Sequence, residues 1–508
     1  MQRRTLFGLL ASPLFAQQTT QKEEKEHVGH GCTPPPSAGA PSLPAKFLGG
    51  MGQVNFPITI GVHAGQKFFE QGVAQLHSFW AREAERSFRM AAQYDPTSPM
   101  PWWGVAMAAA GDFRPKFQQE HLDEVFGPQP RTTTRAWEAA QHAAKLAKTN
   151  TNLQPIERLY IDSIQAKCNP ATPNPDAAYI EGLRRILDKY PEEVEAKLFL
   201  SLALMRGYSQ PDKRPRQGTE EANEILRGLL PFAPQHPGLH HYIIHAFEGS
   251  SFAADAWPSC EIYPRLVPNI PHALHMPGHI YAQTGKLKEA QQAFTSCMQL
   301  ELSYMSADKE YGLGHHGHNV HFLAMVYSMD GQKEKALGAA KHLLAYGDNP
   351  NDAAKPDVVT GAYRQGFFAA LRTIAQHELW DLASDKSFIP AINQPRFVAW
   401  RHWLQALAAV HQAKDLAAAR DHARQMDKAL GEYLRLTNFS VPEELVVARQ
   451  ELDGHLLWLA GRPHQAIEKL EDASRREAQL RYTEPTWYPR PIAEVLKRFK
   501  QETPSSGA

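Results

Sequence analysis

The sequence contains four cysteines, Cys32, Cys168, Cys260 and Cys297, and no two of them form a CxxC pair. That spacing excludes a zinc ribbon and a haem-attachment motif. Charge of one sign is also missing. Lys plus Arg total 54 and Asp plus Glu total 54, so no basic field exists to neutralise a phosphate backbone, and no nucleic acid is expected as a partner. Apart from the extreme N-terminus, no apolar run approaches the roughly 20 residues of a membrane helix, so no span is expected after leader cleavage. There is no phosphate-cradling glycine loop, no GxSxG elbow and no nucleophile triad. No sustained period-two alternation competes with helical spacing, which argues against strands.

At the start of the chain, Arg3 and Arg4, the apolar stretch through Leu6 to Phe15 and the small Ala16 follow the order of a signal peptide. Export to a periplasmic or secreted location is therefore expected. The paired arginines before Thr5, Leu6 and Phe7 resemble a twin-arginine signal, and a general secretory signal also begins this way. Polar and then Pro-rich residues follow, as in Thr33 to Pro36 and Pro41 to Pro44, which describes an extended linker. His27, His30 and Cys32 in this tract are stray candidate ligands. In an oxidising compartment Cys260 and Cys297 are candidates for one disulfide, and two buried thiols would look the same in sequence.

The body of the chain repeats. A small residue, an Ala twelve on, a larger apolar residue four further and a small or apolar one three beyond occur four times. The sets are Gly72, Ala84, Phe88, Ala91; Gly278, Ala290, Phe294, Cys297; Ala324, Ala336, Ala340, Leu343; and Gly454, Ala466, Leu470, Ala473. In the last three a glycine falls seven after the first residue, at Gly285, Gly331 and Gly461, where it suits the turn between two antiparallel helices. The first set has Phe79 there instead. Weaker helical units fill the gaps at 101–110 with 137–148, 176–190 with 193–206, and 363–379. The pattern resembles the tetratricopeptide repeat, a 34-residue helix-turn-helix unit. That resemblance implies an all-α solenoid of tetratricopeptide-like hairpins in a right-handed superhelix, whose first helices line a concave groove. The expected organisation is a signal peptide over 1–16, a Pro-rich linker over 17–45, the solenoid over 46–500 capped near Pro491 to Phe499, and a disordered tail over 501–508.

Histidine is the abundant residue that needs a cause. The chain has 24 among 508 residues, and eleven of them lie between His236 and His321, where an even spread would put about four. His272, His275 and His279 share one helix face. One 34-residue period back lie His241 and His245. His318 and His321 stand from Ala324 as His272 and His275 stand from Gly278. Three consecutive first helices thus carry histidine on equivalent faces, and side chains of helices ~8–10 Å apart can meet on one ion. Pro277 is expected to kink this helix or delay its start.

The seven ligand candidates are His241, His245, His272, His275, His279, His318 and His321. Glu248 adds a candidate carboxylate ligand or proton acceptor, and His315 and His316, placed in a loop entering the third helix, are candidate covers. All-nitrogen ligation suits zinc, copper or nickel, with Met276 and Met325 hinting at copper. The bland alternatives are histidines that hydrogen-bond a peptide or pack as satisfied core residues. His241 and His245 have zincin spacing, but Tyr242 stands where the base would be glutamate, so that protease class is not supported. The blocks His240 to His245, His275 to Tyr281 and His318 to Phe322 are similar to those of a group of exported bacterial tetratricopeptide proteins, which implies fold and export rather than a chemistry. Trp102, Trp103, Trp400 and Trp403 offer groove surface or packing. The expected function is binding of a peptide or protein in a groove that carries a zinc or copper site. The alternatives are a metal-free scaffold and a metal-dependent oxidoreductase or hydrolase, with catalysis left open.

Overall fold

The computed structural model describes residues 39–110 and 134–502, together with Pro115 and Gln118 and apart from positions 309, 354–356, 360, 439, 484 and 487 within them. The expected signal peptide and most of the linker, including His27, His30 and Cys32, lie outside the described residues, as do 503–508. Among the described residues the fold is an all-α solenoid of helical hairpins with no β-strand. No described helix is long and apolar enough to cross a membrane.

The repeat spacing reads directly as hairpins. The four complete sets form the pairs His63–His77 with Ala81–Tyr94, Pro271–Gln283 with Leu287–Ala307, Gly314–Met329 with Lys333–Leu344, and Glu443–Leu459 with Pro463–Ala478. The weaker units are helical too, among them Pro175–Lys189, Val194–Leu204 and Ala362–Gln376. In three of the four pairs the glycine on the first helix, Gly72, Gly278 or Gly454, admits the large apolar residue of its partner, Phe88, Phe294 or Leu470. A Cβ placed on Gly278 would lie 2.5 Å from the Phe294 ring, and one on Gly454 would lie 2.7 Å from Leu470. By contrast, Gly338 has nothing within 4 Å. Gly278→Ala is therefore expected to destabilise the chain by about 1–3 kcal/mol through overpacking. Gly338→Ala should stabilise it by up to about 1 kcal/mol, since alanine loses less entropy in a helix. Urea unfolding of the two variants checks both signs.

Several local expectations are revised. Pro277 does not delay its helix, which begins with Pro271 in the first turn and runs through Pro277 to Gln283, so all three histidines ride on one helix. His315 and His316 lie in the first turn of Gly314–Met329 instead of a loop. Cys260 and Cys297 are both buried, and neither is in a disulfide. The helix Pro271–Gln283 packs against both of their helices and separates them, so no disulfide joins them. Trp103, Trp400 and Trp403 are fully buried packing residues. The last helix spans Ile492–Glu502.

The larger difference is long-range. A solenoid of this kind is expected to touch only its neighbours, yet both ends of this chain return to its middle. The first hairpin meets the helix Pro237–Phe247, with His77 and Tyr242 hydrogen-bonded across 165 residues of sequence. Arg86 reaches Asp308 and Glu310 on the far side of the next hairpins. At the other end, the segment 480–491 crosses back over the interior. Arg372 donates to the carbonyls of Thr486, Tyr488 and Pro489, while Arg490 pairs with the buried Glu451. Two main cores result, one running from Phe56 to Ile280 and the other from Ala324 to Phe499. The first two histidine helices, Pro237–Phe247 and Pro271–Gln283, belong to the first core, and the third, Gly314–Met329, contributes Ala324 to the second.

Candidate metal centre

Three helices supply the site. Pro237–Phe247 carries His241 and His245, Pro271–Gln283 carries His272, His275 and His279, and Gly314–Met329 carries His315 and His318. The histidines are buried rather than spread along an open surface. His241 and His275 are 0% exposed and the most accessible of the seven candidates, His272 and His318, are 6% exposed. Phe79 of the first hairpin packs over His241, His245 and His272, while His279 reaches the wall of a cavity.

The side chains converge as two groups of three. The ligand atoms of His241, His245 and His272 lie within 4.8 Å of one another, and so do those of His275, His279 and His318. The groups adjoin, with the His272 and His275 rings 6.0 Å apart. His315 sits against both, its ring 5.4 Å from His272 and 4.9 Å from His275.

Outer partners fix which nitrogen of each ring faces inward. His241 Nδ1 lies 2.5 Å from the His77 carbonyl. His245 and His279 put Nδ1 at 3.2 and 2.5 Å from the two oxygens of Glu248. His275 Nδ1 is 2.8 Å from Asn319 Oδ1, whose amide is oriented by donating to the Phe294 carbonyl. His315 Nδ1 is 2.5 Å from Glu301. These oxygens only accept, so each Nδ1 carries a proton, and in a neutral ring Nε2 then presents a lone pair. Metal-bound histidines are oriented by the same kind of outer acceptor.

The inward contacts then do not balance. His279 Nε2 and His275 Nε2 are 2.6 Å apart, two lone pairs facing each other with no proton between neutral rings. His272 has one proton to share between His241 Nε2 at 3.0 Å and His315 Nε2 at 3.2 Å, so one of these contacts also lacks a proton. His245 Nε2 has no partner at all. Adding protons is opposed, since burial pushes His272 and His275 well below the usual histidine range and lowers His279 as well. Burial works to raise Glu248, but His279 and His245 hold its carboxyl down to about 2, so it stays an acceptor. The Tyr482 hydroxyl also bonds Glu248. The carboxylate is thus an outer partner of both groups rather than a ligand.

A neighbouring histidine group shows what balance looks like. In His77, Glu195 and His236, both His77 nitrogens are used, by Tyr242 and Glu195, and both His236 nitrogens are used, by Glu195 and the Gly238 N–H. No lone pair is left over.

The remaining candidates fall elsewhere. His321 stands apart, with Nδ1 2.6 Å from Gln365 and Nε2 unpartnered. His316 turns away to Glu301 and to His342 at 2.9 Å. Met276 is in the apolar core. Met325 lines a cavity of about 1220 Å³ with His279, Phe322, Arg372, Tyr433 and Tyr482. That cavity is the open space beside the second group.

Aromatic rings hold the imidazoles. Phe322 stacks on His279 at 4.3 Å, Tyr263 stacks on His241 at 5.0 Å, and Phe79 packs on His241, His245 and His272. Phe79 occupies the turn position that holds glycine in the other repeats, and it adopts φ 55. A bulky residue there is strained by about 1–3 kcal/mol. The departure from the repeat was visible in sequence, but its contact with the histidines was not. Phe79→Ala should lose about 3–5 kcal/mol of stability. Phe79→Gly should lose about 1 kcal/mol less, because glycine accepts positive φ. Denaturant unfolding of the metal-free chain reads the difference.

No family model matches the sequence and no curated protein matches it. Solved structures with which the chain aligns include the TPR domain of P58(IPK), at 13% identity over 87% of this chain and 99% of that one, with a TM-score of 0.22. Yeast Tom70 aligns at 11% identity over 86% of this chain and 89% of that one, with a TM-score of 0.34. A human IFIT1 dimer with PPP-AAAA aligns at 13% identity over 81% and 72%, with a TM-score of 0.30. The tetratricopeptide-like character of this chain rests on its own hairpins, their spacing and their small-to-large contacts.

Proposed function

We propose that this is an exported, tetratricopeptide-like binding protein whose interior carries a histidine-held metal centre, and that the adjoining cavity takes its ligand or partner. The observation that carries the reading is the 2.6 Å approach of His275 Nε2 to His279 Nε2, with both Nδ1 atoms committed outward. A cation is the simplest group that satisfies two facing lone pairs in a buried site. Neutral imidazole nitrogen suits zinc or copper(II). With Met276 in the apolar core and Met325 on the cavity wall, no thioether favours copper over zinc. Metal bonds of ~2.0–2.1 Å place tetrahedral ligand atoms roughly 3.3 Å apart, so only small ring movements are needed. Export is supported by the charged, apolar, small-residue order of the first sixteen residues.

The experiment compares His275→Gln with His279→Gln in one chain against His63→Gln with His464→Gln in another, both of the latter being exposed. Glutamine keeps polarity and removes imidazole ligation. After dialysis, the control is expected to hold as much metal as the parent and the site variant to lose bound ion. Equal metal content in the two variants would make the metal-free scaffold the better reading.

A further inference from the structure

Resting on the metal reading above, we propose that the centre holds two ions, not one. His241, His245 and His272 bind the first, His275, His279 and His318 bind the second, and Glu248 is the positioning carboxylate they share.

The division is geometric. Six imidazoles around one ion would form a single group, but their ligand atoms fall into two groups of three, each within 4.8 Å. Each group also has its own unbalanced contact. One ion between His275 and His279 leaves His241, His272 and His315 short of a proton and leaves His245 Nε2 unpartnered. One ion in the first group leaves the 2.6 Å contact of the second unrelieved. Two ions resolve both. A single six-histidine site would need ring movements across the 6.0 Å between His272 and His275, against the aromatic rings that fix them.

Glu248 joins the two halves. Its oxygens face Nδ1 of His245 in one group and of His279 in the other, so a single carboxylate sets the tautomer and orientation of one ligand on each ion. Three imidazoles per ion leave a fourth position open on each, as in zinc sites that bind water or substrate. The second ion's position adjoins the cavity, because His279 is on its wall.

The test titrates the chelator-stripped full chain with Zn(II) and, separately, with Cu(II), against a competing chromophoric chelator. The parent is expected to take two equivalents of the tighter metal. His241→Gln with His245→Gln should retain one, as should His275→Gln with His279→Gln. Glu248→Gln should weaken both sites by about 10- to 100-fold, the usual effect of losing an outer carboxylate. Circular dichroism establishes that each variant is folded. If a double variant does not fold, His245→Gln alone, which removes a nitrogen with no protein partner, should weaken one equivalent and spare the other. One equivalent in the parent would overturn the two-ion claim and leave the metal reading standing, whereas none would overturn both. Weakening of only one site by Glu248→Gln would overturn its shared role.

Discussion

Adding zinc(II) to the chelator-stripped chain is expected to raise its thermal unfolding midpoint by several degrees, and a chelator should reverse the shift. In the metal-free state the site carries an internal cost, because His275 and His279 point lone pairs at each other from 2.6 Å in a dry interior. An ion removes that cost and is bound by the folded chain alone, since the ligands are gathered from three helices. At a free concentration about a thousand times Kd, each bound ion stabilises the fold by about 4 kcal/mol. The variant with both His63 and His464 changed to glutamine should shift as the parent does, and the His275 and His279 double variant should shift less. Scanning calorimetry with and without metal checks this directly. An unchanged midpoint with zinc(II), and again with copper(II), would show that neither ion prefers the folded state.

Acid is expected to destabilise the metal-free chain steeply between about pH 6.5 and 5. Burial keeps His241, His272 and His275 well below the ordinary histidine range, and it lowers His321 to about 3 with help from Arg372. Unfolded, each would take up a proton near 6.5. A group whose folded pKa is depressed contributes stability that is full above its unfolded value and is lost as pH falls toward its folded value. By pH 5.5 each of these four histidines should therefore act in the same direction, together removing roughly a few kcal/mol relative to neutral pH. A second loss should begin below about pH 4.5, where the unfolded chain protonates carboxylates such as Glu195, Glu248 and Glu451, which their partners hold down to about 2 when folded. Urea midpoints at pH 7.5, 6.5, 5.5 and 4 give the curve. A flat profile from 7.5 to 5.5 would mean that these rings are solvated and free to titrate.

What was legible in the sequence was local and periodic. Gly278 twelve residues before Ala290 and sixteen before Phe294 predicts a hairpin because both helices and their contact lie within one short stretch, and the Phe294 ring does fill the space over Gly278. The histidine stripe was legible for the same reason, since period and face follow from residue spacing. It gave six of the converging rings but gathered them into one site and added His321, because spacing along a helix does not tell which neighbour a ring turns toward. The outer partners were illegible. The His77 carbonyl reaches His241 across 164 residues, Asn319 reaches His275 across 44, and both depend on how far the solenoid curls back. Glu248 was found as a residue of the stripe, yet its bridging of His245 and His279 required the second helix in place. Phe79 was noticed as a missing glycine, whereas the reason for it lies in three imidazoles that sequence distance hides.

Anomalous diffraction from crystals of the metal-loaded chain, collected above and below the absorption edge of the bound metal, tests the central claim most directly. The account predicts anomalous density between the Nε2 atoms of His275 and His279 and a second peak among His241, His245 and His272, each about 2.0–2.1 Å from its imidazole nitrogens. Rings that instead pair through ordered water or protons, with anomalous density confined to the protein surface, would contradict it.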